Sequence, residues 1–136
     1  MSAALFAGAA LYINVVEHPA RMTLDVASAA AEWAPSYGRA TWLQAPLAMV
    51  SFLCGLASWW LGAGVGWAIA ALLIGAVVPF TFIGIMPTNR RLLSTGRDLS
   101  SPETRALLEY WAKLHAVRTV LSIAAAMLYL WLPLGS

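Results

Sequence analysis

The sequence predicts an all-α fold, an integral membrane four-helix bundle whose last helix extends beyond the membrane into the cytoplasm. Three observations lead there. Hydrophobic residues make up 61% of the chain and charged residues only 10%, whereas a soluble domain carries about 25% charge, so there is too little polar surface to cover this chain in water. Apolar runs recur at about 20 residues, the length that crosses a hydrocarbon core of roughly 30 Å as helix. The basic residues gather near two of the connections, as membrane-flanking charges do. The 136 residues are read as one domain, 1–136, with spans at about 2–18, 41–61, 67–86 and 112–132.

The first run, Ser2 to about Glu17, is rich in small residues and rises about 24 Å as helix, short of a full crossing. Ala27-Ser28-Ala29 resembles a signal cleavage site, but no Lys or Arg precedes Arg21 and Glu17, His18 and Pro19 interrupt the run, so it is read as a mature helix. Residues 19 to 40 carry mixed charge and read as a connecting loop, with a short interfacial helix over Ala27–Trp33 and a turn at Pro35-Ser36-Tyr37-Gly38. The second run, Thr41 to Leu61, spans, with Pro46 tolerated near its start. Cys54 lies inside it as a small packing residue; a single cysteine excludes an intrachain disulfide and a cysteine metal cluster.

Gly62-Ala63-Gly64-Val65-Gly66 is a tight hairpin that makes the second and third runs antiparallel neighbours; without a following Lys-Ser/Thr it is no phosphate loop. Gly75 and Pro79 are expected to kink the third run, and Pro87 to end it. Ser101-Pro102-Glu103 starts the last helix with a capping serine, a proline in the first turn and an acid at the positive end of the dipole. No Gly or Pro follows until Pro133, so this helix runs about 30 residues, its wet part carrying a Glu109–Lys113 pair.

This arrangement puts all eight basic residues on the side of the first and third connections. By the positive-inside rule that side is cytoplasmic, with both termini outside and a bacterial inner membrane as the expected location. The net charge of +2 and pI near 9 then report membrane-flanking residues, not nucleic-acid binding.

Every ionisable Asp, Glu, His, Lys and Arg lies at or beyond this one face, so acid–base, metal or anion chemistry belongs there. Trp111, His115 and Arg118 are spaced i, i+4, i+7 on one helical face. Asn14, Glu17, His18 and Arg21 form a second polar stretch, and Asn89 ends the third run at the same depth. Arg118 stands one turn inside the last helix, where a charge is a functional hypothesis by default. Facing helices of a bundle can join these groups. The candidate catalytic set is therefore Glu17, His18, Asn89, His115 and Arg118, with Glu17 or a histidine as general base and Arg118 or Asn89 stabilising an oxyanion. His18, His115 and Glu17 also compose a two-histidine, one-carboxylate set suited to a transition metal, although adjacent Glu17 and His18 need the distortion of Pro19 to act together. The chain uses either no cofactor or one such metal, iron or copper.

The pieces N-V-V-E-H-P-A-R at 14–21, Q-A-P-L-A at 44–48, P-T-N-R-R-L at 87–92 and W-A-K-L-H-A-V-R at 111–118 resemble a family of small four-helix membrane proteins that includes the anthrone oxygenases. The resemblance implies a membrane oxygenase that inserts oxygen from O2 into an activated aromatic methylene, turning an anthrone into a quinone. A base removes the acidic C–H proton and the carbanion meets O2 without an organic cofactor. The implied partners are a hydrophobic aromatic small molecule and membrane lipid. A non-catalytic binder or carrier of a quinone, lipid or metal ion would use the same residues as ligands. The small-residue faces at Gly55, Gly75 and Ala124 to Ala126 equally suit a structural subunit, a homo-oligomer included.

Overall fold

The computed structural model of the protein describes residues 1–134, which form four helical rods. The first, α1, is Ser2–Tyr12 continued by a π turn, Ile13–Glu17, and the turn His18–Arg21. The second, α2, is one helix over Val26–Trp60. The third, α3, is Val65–Leu93, with a second π turn at Thr81–Ile85. The fourth, α4, is Pro102–Trp131, closed by a short 3-10 turn. Helices α2, α3 and α4 are each long and apolar enough to cross a membrane. In the bundle α1 packs on α4 and α2, α2 on α3, and α3 on α4, so the four close a ring.

The 19–40 loop expected from sequence is overturned. After a turn at residues 22–25, α2 begins at Val26, capped by Asp25, whose carboxylate accepts from the Ser28 amide at 3.0 Å and the Ser28 hydroxyl at 2.6 Å. The hydroxyl bond first, then the amide, holds the Asp25 carboxyl below its usual range. The helix passes through Pro35 and Pro46. Each proline forfeits one backbone bond, and the remaining ladder of a 35-residue helix packed on two neighbours carries it through. Of the mixed charge that read as loop, Arg21 is buried and bonded to Glu32 and Ser36 of α2, while Asp25, Glu32 and Arg39 lie on the exposed side.

Pro87 does not end the third rod, and Pro19 does not end the first. Each follows a π turn, in which the His18 amide reaches back to the Ile13 carbonyl and the Met86 amide to the Thr81 carbonyl. A proline ring clashes with the carbonyl four residues earlier. A wider turn just before it moves that carbonyl aside, so the rod continues. With α1 running over residues 2–21 its length is about 30 Å, not the short segment expected.

Two apolar layers fill the bundle. Toward the charged end, Trp33 of α2 and Trp111 of α4 meet edge to face at 5.9 Å, with Ile13, Ile85 and Leu108. Toward the other end Phe6, Ala10, Ala48, Ile74, Val77 and Ala125 pack together. Lipid tails are as apolar as these side chains, so close van der Waals fit rather than escape from water holds such helices. Gly55 supplies that fit: a Cβ there would lie 2.9 Å from the Ala71 Cβ of α3 and from the Tyr129 ring of α4. Leu53, Ile83, Val120 and Met127 face outward, and so does Cys54, which is no packing residue. Glu109 pairs back to Arg105 at 3.3 Å rather than forward to Lys113. The hairpin at Gly62 and Gly64 has φ of 89° and 104°, a left-handed conformation that glycine adopts without steric cost.

Candidate functional site

Of the polar residues singled out by sequence, Asn14, Glu17, His18, Arg21 and His115 fall into two networks joined by Trp111, and Arg118 and Asn89 belong to neither. The inner one centres on Asn14, in the π turn of α1. Its amide nitrogen donates to the Ala112 carbonyl of α4 at 3.0 Å, which turns its oxygen to His115 and Thr119. The Thr119 hydroxyl donates to that oxygen at 2.6 Å, and His115 Nδ1 lies 2.7 Å from it. An amide oxygen only accepts, so Nδ1 carries the hydrogen and Nε2 is the basic nitrogen of the neutral ring. His115 is 2% exposed.

The outer network centres on Arg21, which is 3% exposed. Its guanidinium pairs with Glu17 and Glu32, and bonds to the Ser36 hydroxyl at 3.1 Å; Ser36 in turn donates to Glu17. Glu17 and Arg21, one turn apart, are thus part of a four-residue cluster spanning α1 and α2. Arg21 also donates to His18 Nδ1 at 3.1 Å. That makes His18 the opposite tautomer from His115, its Nδ1 lone pair already engaged. Trp111 touches both imidazoles, with ring centroids 5.3 Å from His18 and 4.9 Å from His115.

Arg118 sits one turn further into α4. It donates to the Gln44 side-chain oxygen of α2 at 3.0 Å, and its guanidinium lies 5.6 Å from the Phe6 ring centroid. Among the described residues no carboxylate forms an ion pair with it. A buried charge is ordinarily paired, and this one is matched only by an amide dipole and a ring face. Asn89 is 1% exposed, and neither side-chain atom has a hydrogen-bond partner among the described residues. It is buried as expected, yet no hydrogen bond ties it to the other four candidates.

A closed cavity of about 10 Å³ lies between the networks, lined by Glu17, Arg21, Trp33, Gln44, His115 and Arg118 among others. Next to it, sharing Ile13, Glu17, Ser36 and Gln44 as walls, an open groove of about 640 Å³ runs between α1 and α2. A smaller groove of about 140 Å³ between α2 and α3 reaches Arg118 from the other side.

The expected metal set of His18, His115 and Glu17 is not assembled. Among the described residues no group of three or more His, Cys, Asp and Glu side chains is placed to hold a metal ion. Glu17 is taken by Arg21 and Ser36, and His18 Nδ1 accepts from Arg21, which leaves its Nε2 carrying the hydrogen; of the three side chains His115 alone keeps a free lone pair, at Nε2. The donor set does not fit iron or copper.

Sequence reasoning placed Asn14 and Gln44 near the right face but outside the candidate set, and passed over Thr119, Ser36 and Glu32. A polar side chain within an apolar run was the available signal; which histidine it would serve depends on how α1 is rotated against α4, and that is set by the π turn.

A helical bundle with three membrane-length helices and a buried polar centre is an integral membrane protein. The family profile described as anthrone oxygenase matches residues 33–128, and the chain belongs to that family. The match takes in Gln44, Asn89, Trp111, His115 and Arg118, and leaves out α1. Anthrone oxygenase tpcL of Aspergillus fumigatus is 36% identical over 70 residues, covering 49% of this chain and 44% of that protein. The aligned region therefore spans less than half the length of this curated relative. No solved structure matches the chain.

Proposed function

We propose that the protein is a membrane oxygenase that converts an activated aromatic methylene of the anthrone type to a ketone with O2. The observation that carries this reading is a base and an unpaired cation on one cavity: His115, held as the Nδ1–H tautomer by Asn14, and Arg118, buried without a carboxylate. Family membership supports the oxygenase class, and the name of the relative supports an anthrone-like substrate.

His115 Nε2 takes a proton from the methylene, and the electron pair left behind delocalises onto the ring carbonyl oxygen. Arg118 stabilises that oxyanion in surroundings where a fixed charge acts strongly. The carbanion reacts with O2; the carbon loses two hydrogens and gains one oxygen atom, and the other oxygen atom leaves as water. Glu17 and His18, committed to Arg21, position the α1–α2 contact rather than take the proton. The α1–α2 groove admits the aromatic substrate from the membrane.

In this reading α1 is a fourth span, and the basic residues, borne by the loops and helix ends near Arg21 and Arg97, lie on the cytoplasmic side of a bacterial inner membrane. Lipid is the surrounding partner.

Detergent-purified protein is expected to consume O2 in the presence of an anthrone, forming the quinone. His115→Ala should lower the rate by about 10²- to 10⁴-fold, the usual contribution of a positioned base, while circular dichroism and thermal unfolding stay close to wild type. Undiminished O2 consumption in a folded His115→Ala protein defeats the assignment. Tight binding of the aromatic with no turnover by the wild type defeats it too, in favour of a carrier.

A further inference from the structure

On the oxygenase reading, turning a methylene into a ketone removes two protons from one carbon, and the two departures need different groups. The first needs a base alone. His115 Nε2 takes that proton, O2 adds to the carbanion, and the peroxide anion takes the proton back from the imidazolium to become a hydroperoxide. The second needs a base and an acid together, because the O–O bond breaks as the proton leaves and the departing oxygen goes far more readily as water than as hydroxide. His115, acting then as the base, is not at the same moment the acid. Another side chain on the same space has to hold a proton that it can give.

The lining of the closed cavity narrows the choice. Ser36 donates its hydroxyl to Glu17, and Thr41 donates its own to the Tyr37 carbonyl at 2.9 Å. The Glu17 carboxylate is ion-paired with Arg21. Guanidinium, indole and amide N–H groups hold their protons too firmly to act as acids. The Tyr37 hydroxyl is left, with no hydrogen-bond partner among the described residues. Tyr37 also lines both spaces that Arg118 lines, the closed cavity and the α2–α3 groove. Of the acidic side chains, it is the one whose charge bears on the Arg118 guanidinium. Its ring stacks on Trp33, with centroids 5.3 Å apart and planes 10° from parallel, which fixes the plane in which the hydroxyl lies.

We propose that Tyr37 is the catalytic acid of the second half of the reaction, a role that rests on the oxygenase reading above. His115 Nε2 takes the remaining C–H proton, and that electron pair becomes the second bond of the ketone. The O–O bond breaks, and the departing oxygen takes the Tyr37 hydroxyl proton and leaves as water. The carbon is oxidised and the peroxide reduced, with no further reductant. Arg118 stabilises the phenolate left behind, and the imidazolium proton returns to it, which restores both groups. Arg118 thus serves an oxyanion in each half, first on the substrate and then on Tyr37. Ile13, Ala40 and Gln44 line both this space and the α1–α2 groove, so an aromatic lying in the groove presents its methylene edge to His115 and Tyr37 as these side chains give way.

The test is a single turnover of the detergent-purified protein with an anthrone held below the protein concentration. O2 uptake and quinone absorbance are followed together, and samples are quenched into triphenylphosphine, which reduces a hydroperoxide to the alcohol. Tyr37→Phe removes one oxygen atom and keeps the stack on Trp33. It should take up O2 as fast as wild type, form quinone about 10²-fold more slowly or worse, the usual share of a positioned acid, and yield the alcohol in the quench where wild type yields none. Thr41→Val, which loses a hydroxyl committed to its own helix, should match wild type in both phases. Circular dichroism and thermal unfolding should show both variants folded. Quinone formation at the wild-type rate in Tyr37→Phe, loss of O2 uptake together with quinone in that variant, or the same loss in Thr41→Val overturns the role of Tyr37 and leaves the oxygenase reading standing. A wild-type protein that takes up no O2 with the anthrone overturns both.

Discussion

Asn14 is the residue whose two hydrogen-bonding ends fix the chemistry of the site. Its nitrogen is spent on a backbone carbonyl of α4, so its oxygen faces His115 and Thr119. Asn14→Leu fills the space without either function. It leaves Nδ1 of a buried imidazole unmet, at a cost of about 1–3 kcal/mol, while the Ala112 carbonyl keeps its bond within α4. The imidazole is then free to take the other tautomer, so the rate should fall on the order of tenfold or more while the base itself is still present. A pH–rate profile unchanged in shape and height would show that the clamp does not matter. Part of this was legible without coordinates. His115 and Arg118 stand out as the polar members of an apolar helix, and both are indeed buried on the cavity. The division of labour between the histidines was not legible, because it depends on Arg21 reaching one ring and Asn14 the other. Nothing in the order of residues 14 to 21 says that Asn14 bonds across to α4 while His18, one turn later, stays with its own helix.

At the level of the element, small residues decide how near the rods approach. Gly55 is in contact with both α3 and α4, whereas a Cβ at Gly8 would meet nothing within 4 Å. Gly55→Val therefore forces the Tyr129 ring and α3 outward and should destabilise the bundle by about 1–3 kcal/mol, the usual range for overpacking. Gly8→Ala, in contrast, removes only backbone freedom from a helix and should be neutral to slightly stabilising. Thermal unfolding in one detergent checks the pair; equal unfolding temperatures for Gly55→Val and wild type would show that α2 has slack that the contacts deny. Helix starts were read well where a side chain caps, as at Ser101, which accepts from the Thr104 amide at 3.2 Å. Helix ends were read badly at three prolines and well at Pro133, just beyond the last residue of α4. Pro19, Pro35 and Pro87 lie inside rods, as Pro46 does by expectation, because a bundle that surrounds a helix, or a π turn that precedes the ring, supplies what the isolated segment lacks.

For the molecule as a whole, the asymmetry of charge is the feature with the widest reach. The hairpin joining α2 and α3 carries no charge, while the connections at residues 22–25 and 94–101 and the helix ends beside them hold most of it, with Arg39, Glu109, Lys113 and Arg118 further inside the helices. Single cysteines placed at Ser94 and at Ala63, in a Cys54→Ala background, should react with a membrane-impermeant thiol reagent from opposite sides, Ser94→Cys from the cytoplasm. Labelling of both from one side would break the four-span arrangement. The count of four rods and their antiparallel order followed from hydropathy alone, since apolar length is a one-dimensional property. The contents of the interior did not follow, since that is set by rotation of each rod about its axis. The two π turns bear on that rotation in a further way. Each winds one residue more than an α-helix needs into the same rise, so each acts as a spare tooth in a gear. Among proteins descended from a common ancestor of this chain, gain or loss of one residue within 13–17 or 81–85 leaves the downstream faces in mesh. The same change within the regular part of α4 would turn His115 and Arg118 away from their partners.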